Sequence, residues 1–494
     1  MRENSSRDYS LLKINLMGGI VSPGTLLHVL AAARQAGVRN VSFGARQQLL
    51  IWVKAETVRG SGLIEFTNQL KELEIDFEVD SEVYPNIISS YCAEEVFPTG
   101  AWLSEGIYRD IFDGFNYQPK LKVNISDSHQ SFTPFFTGNL NFIASEIQNF
   151  WYLYVRFKQS NRIFLFPILV YTLEIPKVCE RIEAVILDNA NLSETEVYEQ
   201  VIAKGAIISQ VFKEDLKLPR FMLPYYEGFN RYGDKTWLGI YRRNENFSID
   251  FMEDICQLCL DTKIGQICTT PWKSLIIKGI ENKDRGLWDA LLGKHTINVR
   301  HAANELNWQI EDNSEEGLEL KKNIIREFDD DDVRTFGLSF AVQTRAKSEV
   351  FGSVVIKKRK IFAGMSSVYD IYHTPDYNPN TRELVLFEAD INKAHVPEIL
   401  QRLSKRYYLQ MAQKEATTTK VAIGQNLSKG NVLMTTVHQC KSCLTRYDER
   451  FGDEVNNIPA GIPFNELPTS YTCPVCEGAI SDFTPINLSM TVSV

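Results

Sequence analysis

The sequence predicts an α+β protein in two parts: a large region built from two copies of one unit, and a small C-terminal domain stapled by a metal ion. Three observations carry this. A weak internal repeat relates segments about 225 residues apart, a polar stretch without aromatics follows residue 413, and two Cys-x-x-Cys pairs lie near the C-terminus. A chain of 494 residues is too long for one hydrophobic core. Its 44% hydrophobic and 23% charged residues are ordinary for a globular protein.

The repeat begins with Gly18-Gly19, followed by an apolar-periodic helical stretch over 25–36 and then Gly37. Alternating segments at 41–43 and 48–53 read as a strand pair. Further on, 247–261 reads as helix and 267–277 as strand, with Thr270-Pro271-Trp272 near the place that Ala45-Arg46-Gln47 holds in the first copy. Two copies of one supersecondary unit predict a pseudo-twofold arrangement. We divide the large region at 1–80, 81–218, 219–300 and 301–413. The apolar run 164–173, interrupted by Pro167, is too short to span a bilayer and reads as buried strand. A helical stretch over 396–413 closes the region. Residues 414–434, rich in small and polar side chains, then read as a flexible tether to a domain at 435–494.

Within that domain, Cys440-Lys-Ser-Cys443 and Cys473-Pro-Val-Cys476 are separated by residues 444–472. Each loop can turn two thiolates toward one ion, and two loops complete a tetrahedral S4 site for iron or zinc. Between the pairs stand Tyr447-Asp448, Gly452-Asp453, Gly461-Ile462-Pro463-Phe464 and Leu467-Pro468; Ser481-Asp482-Phe483 follows the second pair. Together these residues resemble rubredoxin over about 435–486. The resemblance implies one iron bound by Cys440, Cys443, Cys473 and Cys476 that carries one electron. Three positions depart from the family: Tyr471 stands where tryptophan is usual, His438 where tyrosine is common, and Ala460 replaces a proline. A zinc ribbon, in which the metal is only structural, is the alternative that paired Cys-x-x-Cys loops leave open.

The large region is similar to the sulfite and nitrite reductases that use sirohaem. The residues concerned are Asn15-Leu-Met-Gly-Gly-Ile-Val-Ser22, Phe43-Gly-Ala-Arg46-Gln47, Pro119-Lys120-Leu-Lys122-Val-Asn124, Asn139-Leu-Asn-Phe-Ile-Ala144 and Thr270-Pro-Trp272. The resemblance implies ferredoxin-like half-domains at 1–80 and 219–300, each followed by a reductase-like α+β domain. It further implies that Arg46, Lys120 and Lys122 contact sirohaem carboxylates or an anionic substrate; Asn15 takes the place of another usual arginine. The family also needs a [4Fe–4S] cluster on Cys-x5-Cys and Cys-x3-Cys. Here Cys92 is followed by Pro98, the second spacing falls on Ser128 and Phe132, and no cysteine lies between Cys268 and Cys440. Such clusters need thiolate ligands, so none is expected. Loss of sirohaem with retention of the fold is the expectation, with retained tetrapyrrole or anion binding as its alternative.

Other features narrow the function. A formal net charge of −9 argues against a nucleic-acid partner. Residues 431–494 hold Lys441, Arg446 and Arg450 against Asp448, Glu449, Asp453, Glu454, Glu466, Glu477 and Asp482, an acidic surface that could be steered to a basic partner. Residues 1–8 contain no apolar signal core, and no membrane association is expected. The other cysteines, Cys92, Cys179, Cys256, Cys259 and Cys268, are scattered, as reduced thiols in a cytoplasm would be. Cys256-Gln-Leu-Cys259 falls on an apolar helix face and reads as core. Asp329–Asp332 reads as a surface turn or helix cap, and Ser126, Asp127 and His129 lack the pattern of a nucleophile elbow. Neither a dinucleotide glycine fingerprint nor a phosphate loop is present.

The expected protein is therefore an iron-binding electron carrier fused to a non-catalytic reductase-like module, with a redox partner such as a nitrite or sulfite assimilation enzyme. Two alternatives stand beside it: a sirohaem enzyme with its own rubredoxin donor, and a non-redox protein with structural zinc.

Overall fold

In the computed structural model the described residues are 8–493, apart from 56–61, 98–99, 101, 158–161, 190–191, 213, 362–365, 382, 426–429 and 454. Residues 1–7, on which the reading of the N-terminus rests, and Pro98 lie outside them. The chain forms two compact units, residues 1–404 and 405–494.

Two five-stranded sheets form the first layer of the large unit. One has the order Asn246–Ser248, Asn40–Phe43, Leu49–Lys54, Tyr9–Ile14, Glu78–Val79. The other has the order Gly228–Tyr232, Lys235–Ile240, Leu275–Ile280, Ile267–Thr269, Ile20–Val21. Each sheet borrows an edge strand from the other copy. Phe247 pairs opposite Val41, and Ile20 opposite Cys268. The exchange closes two edges that would otherwise present unpaired backbone groups.

The helices over these sheets start where their caps dictate. Ser22 accepts a hydrogen bond from the Thr25 N–H and Pro23 opens the helix Pro23–Gln35. Ser248 does the same for Phe251 at the start of Ile249–Asp261. Leu26, Val29, Leu30 and Ala33 on the first helix and Met252, Ile255, Cys256 and Cys259 on the second are buried in one shared core. Each large aliphatic side chain there contributes about 1.5–3 kcal/mol by burial, so this apolar seam holds the copies together. The exposed pairs from Arg34 to Asp250 and Glu253 contribute little by comparison.

The strands of the two copies share one turn. Gly44 donates to the Gln48 carbonyl and accepts from the Gln47 N–H; Thr270 donates to Ser274 and accepts from Lys273. Gln47 and Lys273 both have left-handed φ, 59° and 55°. The turn therefore pairs Gly44 with Thr270, one residue earlier than the sequence alignment, and makes Trp272 the counterpart of Arg46.

A second pair of sheets repeats one topology. Ile88–Ser89, Val123–Ser126 and Leu140–Ala144 are parallel neighbours, and Phe150–Arg156 joins antiparallel. In the second copy Trp308–Ile310, Phe340–Gln343 and Val354–Ile361 are parallel, and Ser366–His373 joins antiparallel. The expected duplication thus extends to connectivity. The run 164–173 is two short strands, Ile163–Leu165 and Leu169–Tyr171, because Pro167 interrupts the ladder between them.

The Gly-Gly turn has a physical reason. Gly18 and Gly19 have φ of 65° and 79°. A Cβ on Gly18 would lie 2.2 Å from the Phe112 ring, and one on Gly19 would lie 2.4 Å from Gln47 Nε2. Gln47 itself joins three segments, accepting from the Ser89 N–H at 2.9 Å and donating to the Thr269 carbonyl at 2.8 Å.

The expected tether takes regular structure. The helix Val396–Gln425 includes its first part, and the strand Gly430–Cys440 includes its last; residues 426–429 lie outside the described part. Alanine, lysine and glutamine in the stretch sustain a helix as readily as a coil, and the strand is stabilised by its antiparallel ladder with Phe483–Ser493. No described helix is long and apolar enough to cross a membrane.

Candidate metal centre and cationic cluster

The first Cys-x-x-Cys loop leaves the strand Gly430–Cys440. Cys440 donates its N–H to the Thr445 carbonyl at 2.8 Å, and its own carbonyl accepts from Leu444 at 3.0 Å. The second loop repeats this: Cys473 donates to the Gly478 carbonyl at 2.8 Å and accepts from Glu477 at 2.9 Å. Leu444 and Glu477, each just after its second cysteine, adopt left-handed φ of 63° and 58°. Both chains thus double back and turn two sulfurs toward a common centre.

The sulfurs of Cys440 and Cys476 lie 3.6 Å apart, those of Cys443 and Cys473 lie 3.4 Å apart, and all four fall within 4.8 Å of one another. A tetrahedron with metal–sulfur bonds of about 2.3 Å has edges of about 3.8 Å, so the quartet fits a single ion. Cys440 and Cys473 are buried, Cys443 is half-buried and Cys476 is exposed, which leaves one side of the centre open to solvent. Among the described residues this is the one group of three or more His, Cys, Asp or Glu side chains gathered closely enough to hold a metal.

The walls are aromatic. Cys440, Tyr447, Leu467, Tyr471, Cys473 and Phe483 form the small core, with Phe464, Ile458, Ile462 and Ile480 against it. A core this small needs its metal as a staple. Two of the departures, His438 and Tyr471, keep an aromatic ring in the packing. His438 stacks on Phe464 with centroids 3.9 Å apart and ring planes 7° apart, so an aromatic ring still covers that side. Tyr471 packs on Tyr447 and Phe483 and donates its hydroxyl to Asp453 at 2.8 Å. Gly452, with φ of 70°, lets the chain pass where a Cβ would lie 2.4 Å from the Ile458 carbonyl oxygen.

Two predictions arise here. Tyr471→Phe removes one charge-assisted hydrogen bond and leaves the ligands alone. Its tail should lose about 1–3 kcal/mol of stability with an unchanged metal spectrum, as thermal loss of the metal absorbance will show. The Cys443 thiol is held down at about 6 by its hydrogen bonding with the Thr445 side chain and N–H, which favours the thiolate that a metal needs. Protons compete with the ion for all four thiolates, so metal affinity is expected to fall as the pH is lowered, read as loss of metal absorbance in an acid titration.

Four thiolates converging on one centre define a mononuclear tetrathiolate metal protein. A family profile described as Rubredoxin matches residues 437–483. Rubredoxin-2 of Chlorobaculum tepidum is 42% identical over 48 residues, 92% of that protein and 10% of this chain. The chain belongs to the rubredoxin family through this segment, and its metal site is a rubredoxin-type iron site. The "Rubredoxin in uptake hydrogenase operon" of Azotobacter chroococcum is 49% identical over 47 residues, 10% of this chain and 65% of that protein. The chain thus spans about 65% of the length of that relative, as it does of the rubredoxin of Azotobacter vinelandii. The structure of Mycobacterium tuberculosis NirA protein superposes with a TM-score of 0.60 at 14% identity, covering 80% of each chain. That likeness shows that four-fifths of the chain shares the fold of that protein; at this identity it is evidence of fold alone.

Of the three basic residues named from the sequence, the structure brings two together. Arg46 donates to the carbonyls of Asn86 at 2.7 Å and Val123 at 3.0 Å and to Asn124 Oδ1 at 3.2 Å. Lys122 forms an ion pair with Glu349. Lys120 stands apart on the exposed surface, lining a groove of about 650 Å³ that also holds Asp76, Glu180 and Glu183. Sequence reasoning missed two members of the cluster. Arg156 ends the strand Phe150–Arg156 and donates to the Gly138 and Thr137 carbonyls at 3.1 Å each. Glu349 lies in the loop after Phe340–Gln343, 3.7 Å from Arg156. The only sequence signal was a charged residue closing an apolar strand.

Of the basic groups that the reductase resemblance assigns to sirohaem carboxylates, Lys122 is paired with Glu349, Arg46 is bonded to Asn124 and to backbone carbonyls, and Lys120 lies on a separate exposed surface. Asn15 donates to the Tyr84 carbonyl at 2.5 Å and accepts from Gln48 at 2.8 Å, as an internal hydrogen-bonding residue. Phe132, at one cluster-ligand spacing, is fully buried among Phe97, Tyr226 and Trp272. Cys92 is buried, and desolvation pushes its thiol far above the usual range. Cys256 and Cys259 are core residues, as expected. Asp329 and Asp330 close the helix Glu315–Asp330, whose cap is Asp331. His129 and Asp127 make local contacts: the Asp127 carboxylate accepts the N–H groups of Gly100 and His129.

Proposed function

We propose that this protein is an iron-binding one-electron carrier whose large unit is a non-catalytic, sulfite/nitrite reductase-like docking module. The observation that carries the reading is the sulfur quartet at Cys440, Cys443, Cys473 and Cys476, with one ligand exposed. Thiolate ligation and hydrogen bonds to sulfur set the potential. The acidic surface around it suits a basic redox partner, with an association rate that falls as salt rises. A nitrite or sulfite assimilation enzyme is the proposed class of partner, and the buried, unpaired thiols of the large unit suit a reducing cytoplasm.

Metal analysis with an absorption spectrum tests this. Iron at one per chain, a red ferric protein and bleaching by dithionite are expected. A colourless protein with stoichiometric zinc after growth in ample iron overturns the carrier. Soret-type bands overturn the non-catalytic module and favour a sirohaem enzyme with an internal donor.

A further inference from the structure

Lys122 and Arg156 meet one carboxylate in the large unit, with Arg46 anchored beside Lys122 on the Val123 carbonyl. Glu349 pairs with Lys122 and lies 3.7 Å from Arg156, and Arg46 lies close enough for its charge to act on the same carboxyl. Burial would raise the Glu349 carboxyl, yet Lys122, Arg46 and Arg156 outweigh it and hold the group below the usual carboxylate range. The cations are prepositioned. Backbone carbonyls anchor both guanidiniums, and the Lys122 and Arg156 side chains are only 23% and 12% exposed. Arg46 Nε is buried without a hydrogen-bond partner among the described residues. The charges do not balance: one carboxylate faces three cations, with Glu82 adding only a weaker influence on Arg46.

An ordinary surface ion pair would not need this scaffold. Arg46 comes from the turn after Asn40–Phe43, Lys122 from the residue before the strand Val123–Ser126, Arg156 from the end of Phe150–Arg156, and Glu349 from the other copy of the repeat. The Glu349 side chain is 45% exposed, so the place it fills is open to solvent. Guanidinium and ammonium groups converging in this way recognise carboxylates and small tetrahedral oxyanions.

We propose that Arg46, Lys122 and Arg156 form an oxyanion-binding site whose resident ligand is the chain's own Glu349. The site takes an external carboxylate or small oxyanion only when that side chain is withdrawn. This deepens the reading of the large unit as non-catalytic and rests on it: the unit carries its own anion where the reductase resemblance implies a cofactor or substrate. A site so filled stays charge-compensated and folded with no ligand bound.

Inorganic sulfate is the probe and the full-length protein the sample. All seven tryptophans lie between Trp52 and Trp308, so tryptophan fluorescence follows the large unit, while metal absorbance follows the tail. Glu349→Gln should melt lower than the parent and regain about 2–4 °C with excess sulfate. The shift should saturate and exceed that in chloride of equal ionic strength. The parent protein should show no saturable shift, and Arg156→Gln/Glu349→Gln should lose it. No saturable shift in Glu349→Gln, or an equal one in the parent, overturns the proposal. If Glu349→Gln does not fold in plain buffer, refolding yield replaces melting as the readout. Recovery by sulfate is then expected, and no recovery overturns the site. Soret-type bands in the untreated protein would sink the non-catalytic reading instead, so the two failures are distinguishable.

Discussion

Replacing Cys443 by serine is expected to strip most of the iron from the protein while leaving the large unit folded. A four-ligand metal site contributes roughly 10–16 kcal/mol to folding of a small domain. Losing one ligand of four should therefore cost about 3 kcal/mol or more, a drop in affinity of at least about 100-fold. The half-buried Cys443 accepts the change sterically, so the effect reports ligation and not packing. Ferric absorbance under chelator challenge reads the loss. The tail core has few buried side chains besides its ligands, so its melting should fall with the metal. Tryptophan emission should not change, since every tryptophan is in the unit of residues 1–404. A parallel shift in tryptophan emission would show that the two cores fold as one.

The second large effect is expected at Phe132. Its ring is fully buried, with centroids 5.1 Å from Phe97, 5.2 Å from Tyr226 and 6.5 Å from Trp272, and its carbonyl accepts the Trp272 indole N–H at 2.8 Å. Phe132→Ala should leave a cavity where both copies of the repeat contribute side chains and cost about 3–5 kcal/mol. Chemical denaturation followed by tryptophan emission measures it directly, because Trp272 and Trp237 belong to the same core. The iron spectrum should be untouched. A loss below about 1 kcal/mol would mean that the surrounding rings collapse into the space, and that this aromatic core does not hold the copies together.

The tail was almost wholly legible in the sequence. Ligand spacing and the aromatic walls are local features of one short segment, set by metal chemistry and packing, while the left-handed turns at Leu444 and Glu477 came from the structure alone. The departures at His438 and Tyr471 could be named from sequence. Their consequences, a stack on Phe464 and a hydrogen bond to Asp453, needed coordinates. In the large region the repeat was visible, but its alignment slipped by one residue: the shared turn is defined by backbone hydrogen bonds that Gly44 and Thr270 make equally well despite unlike side chains. The tether at 414–434 was misread because its composition suits helix and coil alike, and neighbouring helix and ladder decided the matter.

By itself the sequence determined the four iron ligands and the two-part architecture, and it lacks the Cys-x5-Cys and Cys-x3-Cys spacings, because each is written in residue identity or short spacing. Only the tertiary structure decided which charges meet. Lys120 and Lys122 are two residues apart yet face different neighbours. Arg156 and Glu349, far apart in the chain, complete the cluster with Arg46. The edge strands Ile20–Val21 and Asn246–Ser248 likewise find partners only across the repeat. Convergence of this kind depends on how two copies of one unit pack, and packing sums many small burial terms that no single motif records.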